Sequence, residues 1–416
     1  MLNKPMKLIF SILFFFLITT VALSQTNKLD YYLDQAMQNS PLLKDYQNQQ
    51  DLNRLDSLRI LATYKPQVTG NSFNFYAPVA KGIGYDQIIT NGGNFSALVG
   101  VNKTIVNKKN IGAQFENLHL QNQSVANTAK ISEQDLKKAI TAQYITTYGD
   151  IQQLNFNKEV QTLLAKEETI LKKLTEKNVY KQVDYLSFLV TQQQLELLIK
   201  QLAIQFQNDY AMLNYLCGII NTTTVILEPP EIRLYQQPGI TNSVFFKQFE
   251  IDSLKLSNSR TLIDVSYKPK FNLFADAGYL SSLALNPYKN FGTSFGISAQ
   301  VPIYDGKQKK LQYSKIAIAE KNRLNYKSFF GSQYNQQISQ LTQQLNSTDE
   351  LIRDINNQLK YSQSLIEVNE KLLEAGEVKI ADYILALGNY LNAKNLITQN
   401  MVNRLQIINQ INYWNR

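Results

Sequence analysis

The sequence predicts an α+β chain made of two internal structural repeats, each supplying two strands of a membrane β-barrel and a run of long helices. Four strands per chain cannot close such a barrel, since single-chain barrels need about eight or more. Closure by trimerisation is therefore expected, with the helices continuing the wall as a long α-helical barrel. Three observations carry this reading. Proline is absent from 79–228 and from 303–416, tracts rich in Leu, Ile, Gln, Asn, Lys and Glu that suit helix. Four segments of about ten to twelve residues alternate with a period of two. Blocks of sequence also recur at a nearly constant separation.

The recurrence is clearest between "NVYKQVDY" at Asn178–Tyr185 and "GEVKIADY" at Gly376–Tyr383, where Lys181, Asp184 and Tyr185 fall on Lys379, Asp382 and Tyr383, 198 residues on. "TIVNKKN" at Thr104–Asn110 and "PIYDGKQ" at Pro302–Gln308 keep the offset of 198, as do "LNYL" at Leu213–Leu216 and "INYW" at Ile411–Trp414. "YKP" at Tyr64–Pro66 and Tyr267–Pro269 is offset by 203, which places a five-residue longer loop in the first half. The expected organisation is a leader at 1–24, a first repeat at 25–218, a linker at 219–240 and a second repeat at 241–416.

In chain order, Lys4 and Lys7 precede the apolar block Leu8–Ser24, with small residues at Ala22 and Ser24. This reads as a secretory signal peptide cut before Gln25; a retained anchor is the other reading, disfavoured by the polar Gln-Thr-Asn-Lys that follows. No interior run reaches the roughly 18 apolar residues of a transmembrane helix. Cys217 is the only cysteine, so an intramolecular disulfide is excluded, and its apolar neighbours make it a small buried hydrophobe. The net charge of +9 comes without a basic block or basic–aromatic interleaving, so it reads as solvated surface charge with no nucleic-acid partner.

The helical tracts show narrow apolar seams. Ile140, Tyr144, Tyr148 and Ile151 follow one another at spacings of 4, 4 and 3; Ile380, Ile384, Leu387 and Leu391 at 4, 3 and 4; Met401, Leu405 and Ile408 at 4 and 3. Polar residues cover most other faces, as in coiled coils. The stretch 108–175 would make roughly 100 Å of helix at 1.5 Å per residue, which must lie along partners over its length.

Between the helices, 94–105 places Phe95, Ala97, Val99, Val101 and Ile105 on one face, and 270–279 does so with Phe271, Leu273, Ala275, Ala277 and Tyr279. The segment 291–303 alternates through Phe291, Phe295, Ile297, Ala299, Val301 and Ile303, and the less regular 67–77 carries Phe73, Phe75 and Ala77. Length and dyad period fit membrane barrel strands; a sandwich strand with one wet face is the alternative. The leader and the pairing with very long helices favour the outer membrane.

Each half thus runs helix, strand, loop, strand, very long helix, turn, long helix. This order resembles the TolC-type outer membrane efflux proteins over nearly the whole mature chain. "VPIYDGKQKK" at Val301–Lys310 is similar to that family's strand-to-helix corner, "LLEAGEVKIADYILALGNYLNAKN" at Leu372–Asn395 to its second periplasmic turn and returning helix, and "YLCGI" at Tyr215–Ile219 to its closing Leu-x-Gly. The resemblance implies a passive, non-enzymatic exit duct of an efflux or type I secretion system. Such a duct is a homotrimer with its barrel in outer membrane lipid and its helical tunnel in the periplasm. A periplasmic adaptor protein docks on the tip and links it indirectly to an inner-membrane pump.

It further implies that Asn178, Val179, Gly376, Glu377 and Val378 belong to adaptor-contacting turns at the periplasmic mouth. Gly376 suits a turn because it accepts positive φ, and Asn178 is the next most tolerant residue. Asp382 matches an aspartate that narrows the family's entrance, and Asp184 a member of its closing network. The family's second acidic position is Leu385 here, and its basic partner position is Val378, with Lys379 one step on. Lys181 or Lys379 pairing with Asp184 or Asp382 is the expected lock; helix capping by the two aspartates is the compatible alternative.

No cofactor, metal site or catalytic constellation is expected. His119 is the only histidine and reads as a wall residue, leaving no material for triads or zinc sites. "GIGYDQIITNGGN" at Gly82–Asn94 holds a G-x-G but leads into a strand, so it reads as an exposed loop. A trimeric coiled-coil adhesin and a periplasmic helical scaffold are the alternative classes. The first predicts a single terminal anchor, the second a covered sheet.

Overall fold

The computed structural model describes residues 28–84, 92–221, 223–235, 243–282 and 286–415; the leader at 1–24 and most of the Gly82–Asn94 loop lie outside them. The first half contains α1 (Leu29–Asn39), α2 (Pro41–Thr63), β1 (Gln67–Ala77), β2 (Gly92–Ile105), α3 (Lys108–Glu176) and α4 (Gln182–Cys217). The second contains α5 (Val244–Ser266), β3 (Lys270–Ser281), β4 (Phe291–Gln300), α6 (Gln308–Ala375) and α7 (Ile380–Trp414). The repeat is therefore structural: α2 and α5 are both 23 residues long, and α3 and α6 are 69 and 68. Among the described residues no helix is long and apolar enough to cross a membrane.

The strands form one antiparallel sheet in the order β1-β2-β3-β4, so the central β2–β3 pair joins the two halves. Directly opposed residues share a face. The registers gather Phe95, Val99, Val101, Phe271, Leu273, Tyr279, Phe291, Phe295 and Ile297 on one side, as the alternation predicts. The other side of β2 to β4 is mostly small or polar, with Gly100 opposite Asp276 and Gly278 opposite Gly292, and Leu98, Phe274 and Leu280 as its apolar members.

β1 departs from the expectation. Phe73 lies opposite Ser96 and Phe75 opposite Asn94, so the two aromatics stand on the polar side of the sheet. The Phe73 N–H donates to Ser96 Oγ at 3.1 Å, and that hydroxyl donates to the Phe73 carbonyl at 3.0 Å. A one-residue slip would send every side chain of the strand to the other face, and this reciprocal pair holds the register that is observed.

β4 also ends earlier than the alternation implies, at Gln300. Pro302 cannot donate to a ladder. Asp305 then starts α6 by accepting from the Lys307 and Lys309 N–H groups at 2.9 and 2.7 Å.

Two compact units result, and each draws on both halves. One comprises 42–131 and 239–333 and holds the sheet, α2 and α5 with the adjoining lengths of α3 and α6. Asn258 anchors α5 there by donating to the Ala113 carbonyl of α3 at 2.9 Å. The second unit comprises the residues up to 41, 132–238 and 334–416. Its core includes Tyr32, Ile140, Tyr144, Leu164, Leu171, Phe188, Leu213, Leu373 and Tyr383, with a separate cluster of Leu341, Leu345, Ile407, Ile408 and Ile411.

The predicted seams are inside at Ile140, Tyr144, Ile380, Leu387 and Ile408, but Met401 is exposed. A straight helix drifts about 20° per heptad, and the buried line of α7 passes instead through Ile397, Ile407 and Ile411.

Cys217 is fully buried, and burial pushes its thiol up to about 12. The thiolate is the reactive form, so the folded protein is expected to resist maleimide and to label only after denaturation. Labelling at equal rates with and without denaturant would show the site to be open.

Candidate functional site

The recurring segments are two equivalent turns, α3 to α4 and α6 to α7. In the first, Asn178 adopts φ 60°, its N–H donates to the Thr175 carbonyl, and the Val179 N–H reaches back to the Leu174 carbonyl, both at 2.9 Å. In the second, Gly376 has φ 75°, its N–H donates to Leu373 at 3.0 Å, and the Glu377 N–H donates to Leu372 at 2.8 Å. Both are Schellman terminations, in which a left-handed residue just past the helix lets two orphan carbonyls be satisfied.

Each chain then re-enters a helix in the same way. Lys181 and Lys379 are the extended N-cap residues, and their carbonyls accept from the Asp184 and Asp382 N–H groups, both at 3.0 Å.

The turns touch. The Tyr180 hydroxyl donates to the Val378 carbonyl at 2.8 Å, and the Val378 side chain is buried. Val179 packs against Gly376 so closely that a Cβ there would lie 2.7 Å from Val179 Cγ1. Asn178, Val179, Glu377, Lys181 and Lys379 are exposed around this contact.

The two aspartates differ. Half-buried Asp184 accepts from the Lys181 backbone N–H at 3.2 Å, closing its own helix start in a contact that contributes about 0.5–1 kcal/mol. Asp382 is exposed, leaving its carboxylate presented to solvent. Among the described residues no ion pair within the chain joins Lys181 or Lys379 to either aspartate. The capping alternative therefore holds for Asp184.

Beneath the turns lies a group of side chains that the motif comparison missed. Tyr383 of α7 is fully buried beside Phe188, at a ring separation of 6.3 Å, and its hydroxyl has no hydrogen-bond partner. Its counterpart Tyr185 instead donates to Glu168 Oε1 at 3.3 Å. Glu167 of α3 is also fully buried, and both its oxygens lack hydrogen bonds. Lys166 Nζ approaches Glu167 and Glu374 at 3.7 Å each. Burial raises the Glu167 carboxyl above its ordinary range; Lys166 offsets part of this, and Glu370 and Glu374 raise it again. Among the described residues no cluster of His, Cys, Asp and Glu could hold a metal ion.

A four-stranded antiparallel sheet together with two pairs of long helices, each pair reversed by a capped turn, is the chain fold of the TolC-type outer membrane efflux channels. The comparisons bear this out for the fold. No protein-family model matches the sequence, and no curated protein matches it. Solved structures do. The CusC transmembrane channel superposes with a TM-score of 0.75 at 11% identity, over 94% of this chain and 92% of that one. The outer membrane protein VceC of Vibrio cholerae gives 0.73 at 11%, over 93% and 96%. The open MtrE outer membrane channel of Neisseria gonorrhoeae gives 0.71 at 10%, over 95% and 93%.

Proposed function

We propose that the chain is a passive outer membrane exit duct, part of a tripartite efflux or type I secretion system, that works as a homotrimer anchored in outer membrane lipid. The observation that carries this is the bare sheet. Its apolar face exposes Val99, Phe295 and Ile297, with Phe295 at 88%, and β1 and β4 are unpaired edges. In lipid an apolar face is satisfied but an open edge is not, which supports pairing of β4 with β1 of the next copy. A soluble scaffold would cover that face.

A second support lies on α4. Val183, Val190, Leu197 and Ile204 recur every seven residues and all are exposed. That is a heptad seam directed at a second helix, and α6 offers exposed Leu351, Tyr361, Leu365 and Val368 for it. On this reading the two turns form the periplasmic mouth. Asn178, Val179, Glu377 and the Val378 backbone meet an adaptor protein, and Lys181 or Lys379 of one copy meets Asp382 of the next.

The test joins localisation to transport. The protein should fractionate with the outer membrane and run as a heat-labile trimer. In planar bilayers it should conduct ions, with Asp382→Ala raising conductance or lowering cation preference several-fold and Asp184→Ala doing less. Recovery without detergent as a non-conducting monomer would overturn the duct. Unchanged conductance in both variants would overturn only the lock.

A further inference from the structure

Asp150 of α3 and Asp209 of α4 face each other across the helix pair. Asp150 is only 6% exposed. Gln205 of α4 donates to Asp150 Oδ1 at 3.1 Å, and Gln143 of α3 donates to Asp209 Oδ1 at 2.9 Å and to its carbonyl at 3.0 Å. Thr147 adds a hydroxyl to that carbonyl at 3.2 Å. Each helix thus sends a glutamine to the other helix's aspartate. The remaining oxygen, Asp150 Oδ2, is sealed from solvent without a donor, and the acid facing it is Asp209, one turn from the Gln205 that bonds Asp150 and itself bonded through its carbonyl by Thr147, one turn from Asp150. Two acceptors cannot hydrogen-bond unless one carries a proton.

The second repeat shows that the fold does not require this arrangement. At the offset of 198, Gln143, Thr147 and Asp209 correspond to Leu341, Leu345 and Ile407, three members of one apolar cluster, and Asp150 corresponds to Thr348. The same helix crossing is closed with hydrocarbon in one half and with two acids in the other. A buried pair of like charges costs stability that the apolar version avoids, so the acids are a property of the first half and not of the architecture.

We propose that Asp150 and Asp209 share a single proton and act as a pH-sensitive latch, holding α3 to α4 while the proton is present and loosening that crossing when it leaves. One carboxyl then donates to the other, which satisfies Oδ2. Removing the proton leaves the buried Asp150 carboxylate and the half-buried Asp209 carboxylate in repulsion.

The neighbouring titratable groups are Tyr148 on α3 and Tyr210 on α4, with Tyr32 of α1 donating to Tyr210 at 3.4 Å. On α7 the nearest cation in sequence to Val402, which packs on Gly149, is Arg404, held by Asp349 of α6 at 2.6 Å. Among the described residues no Lys, Arg or His forms an ion pair with Asp150 or Asp209. Burial, then the hydrogen bond and charge of Asp209, raise Asp150 from the ordinary 3.8 to about 7. A folded value above the unfolded one means the pair's contribution is full below 3.8 and is lost as pH rises through about 7.

The test is infrared difference spectroscopy on the full-length protein in detergent, titrated from about pH 5 to about pH 9. The native chain should lose a protonated-carboxyl band near neutrality. That step should be absent from Asp150→Asn and from Asp209→Asn, in which the amide replaces the shared proton as donor. Hydrogen exchange, corrected for intrinsic rates, should show protection around residues 147–152 and 205–210 falling several-fold above neutrality in the native chain and staying level in both variants. The double change Gln143→Leu with Asp209→Ile, which copies the second repeat, should also be flat. A step near neutrality that survives in both asparagine variants would overturn the latch, as would native protection that does not change with pH.

Discussion

Gly278→Ala is expected to destabilise the protein by about 3–4 kcal/mol. Gly278 stands within β3, opposite Leu98 of β2 and Gly292 of β4, with φ 153°. A Cβ there would overlap the Ala97 carbonyl oxygen and lie 2.9 Å from Leu98 Cα, both backbone atoms of the neighbouring strand. Backbone cannot rotate away as a side chain can, so the strands must separate and ladder hydrogen bonds are lost with them. The damage falls on the β2–β3 pair, the seam between the two halves. Gly292→Ala is the control, since its Cβ would meet nothing within 4 Å; it should be neutral or stabilise by up to about 1 kcal/mol. Denaturant unfolding measures both, and equal midpoints for the two variants would refute the close approach.

The second large effect is at the turns. Gly376→Val should cost about 2–3 kcal/mol, of which about 1–2 is the left-handed backbone and the rest the collision with Val179. Asn178→Val, at the equivalent φ of 60° but on an exposed residue, should cost only the backbone part, about 1–2 kcal/mol. Asn178→Gly should be neutral or slightly stabilising. Limited proteolysis between 372 and 381 reads the local loosening directly, with denaturant midpoints as the global measure. If Gly376→Val and Asn178→Val behave alike, the packing of one turn on the other contributes nothing.

Much of this molecule was legible in its residues. The halves could be aligned because Lys181, Asp184 and Tyr185 recur at a fixed offset, and the structure gives both turns the same hydrogen-bonding pattern. Glycine and asparagine marked the left-handed positions because few other residues adopt them cheaply. Three strands could be assigned to a face because period-two alternation is a local property.

The pattern failed at β1, where Phe73 and Phe75 joined the polar side. A strand's own alternation does not say which of its faces meets the apolar face of its neighbour; the register with Ser96 and Asn94 does. It failed again at Met401, where a heptad count outran the helix's own 3.6-residue turn. Glu167, Tyr383 and the Asp150–Asp209 pair gave no motif, because isolated acids on a polar helix look like solvated charge until a second helix buries them. One signal was present: laying Gln143, Asp150 and Asp209 over Leu341, Thr348 and Ile407 exposes acids where the other half keeps hydrocarbon.

By itself, then, the chain's sequence determined the two repeats, the order of strands and helices, and the places where helices reverse. Each of these depends on residues close together along the chain. Tertiary structure alone decided which face of β1 meets its neighbour, that Tyr180 of one turn bonds the Val378 carbonyl of the other, and that Asp150 stands buried beside half-buried Asp209, 59 residues away. The reason is distance: burial and pairing belong to residues far apart in sequence, and neither leaves a periodic trace in either partner.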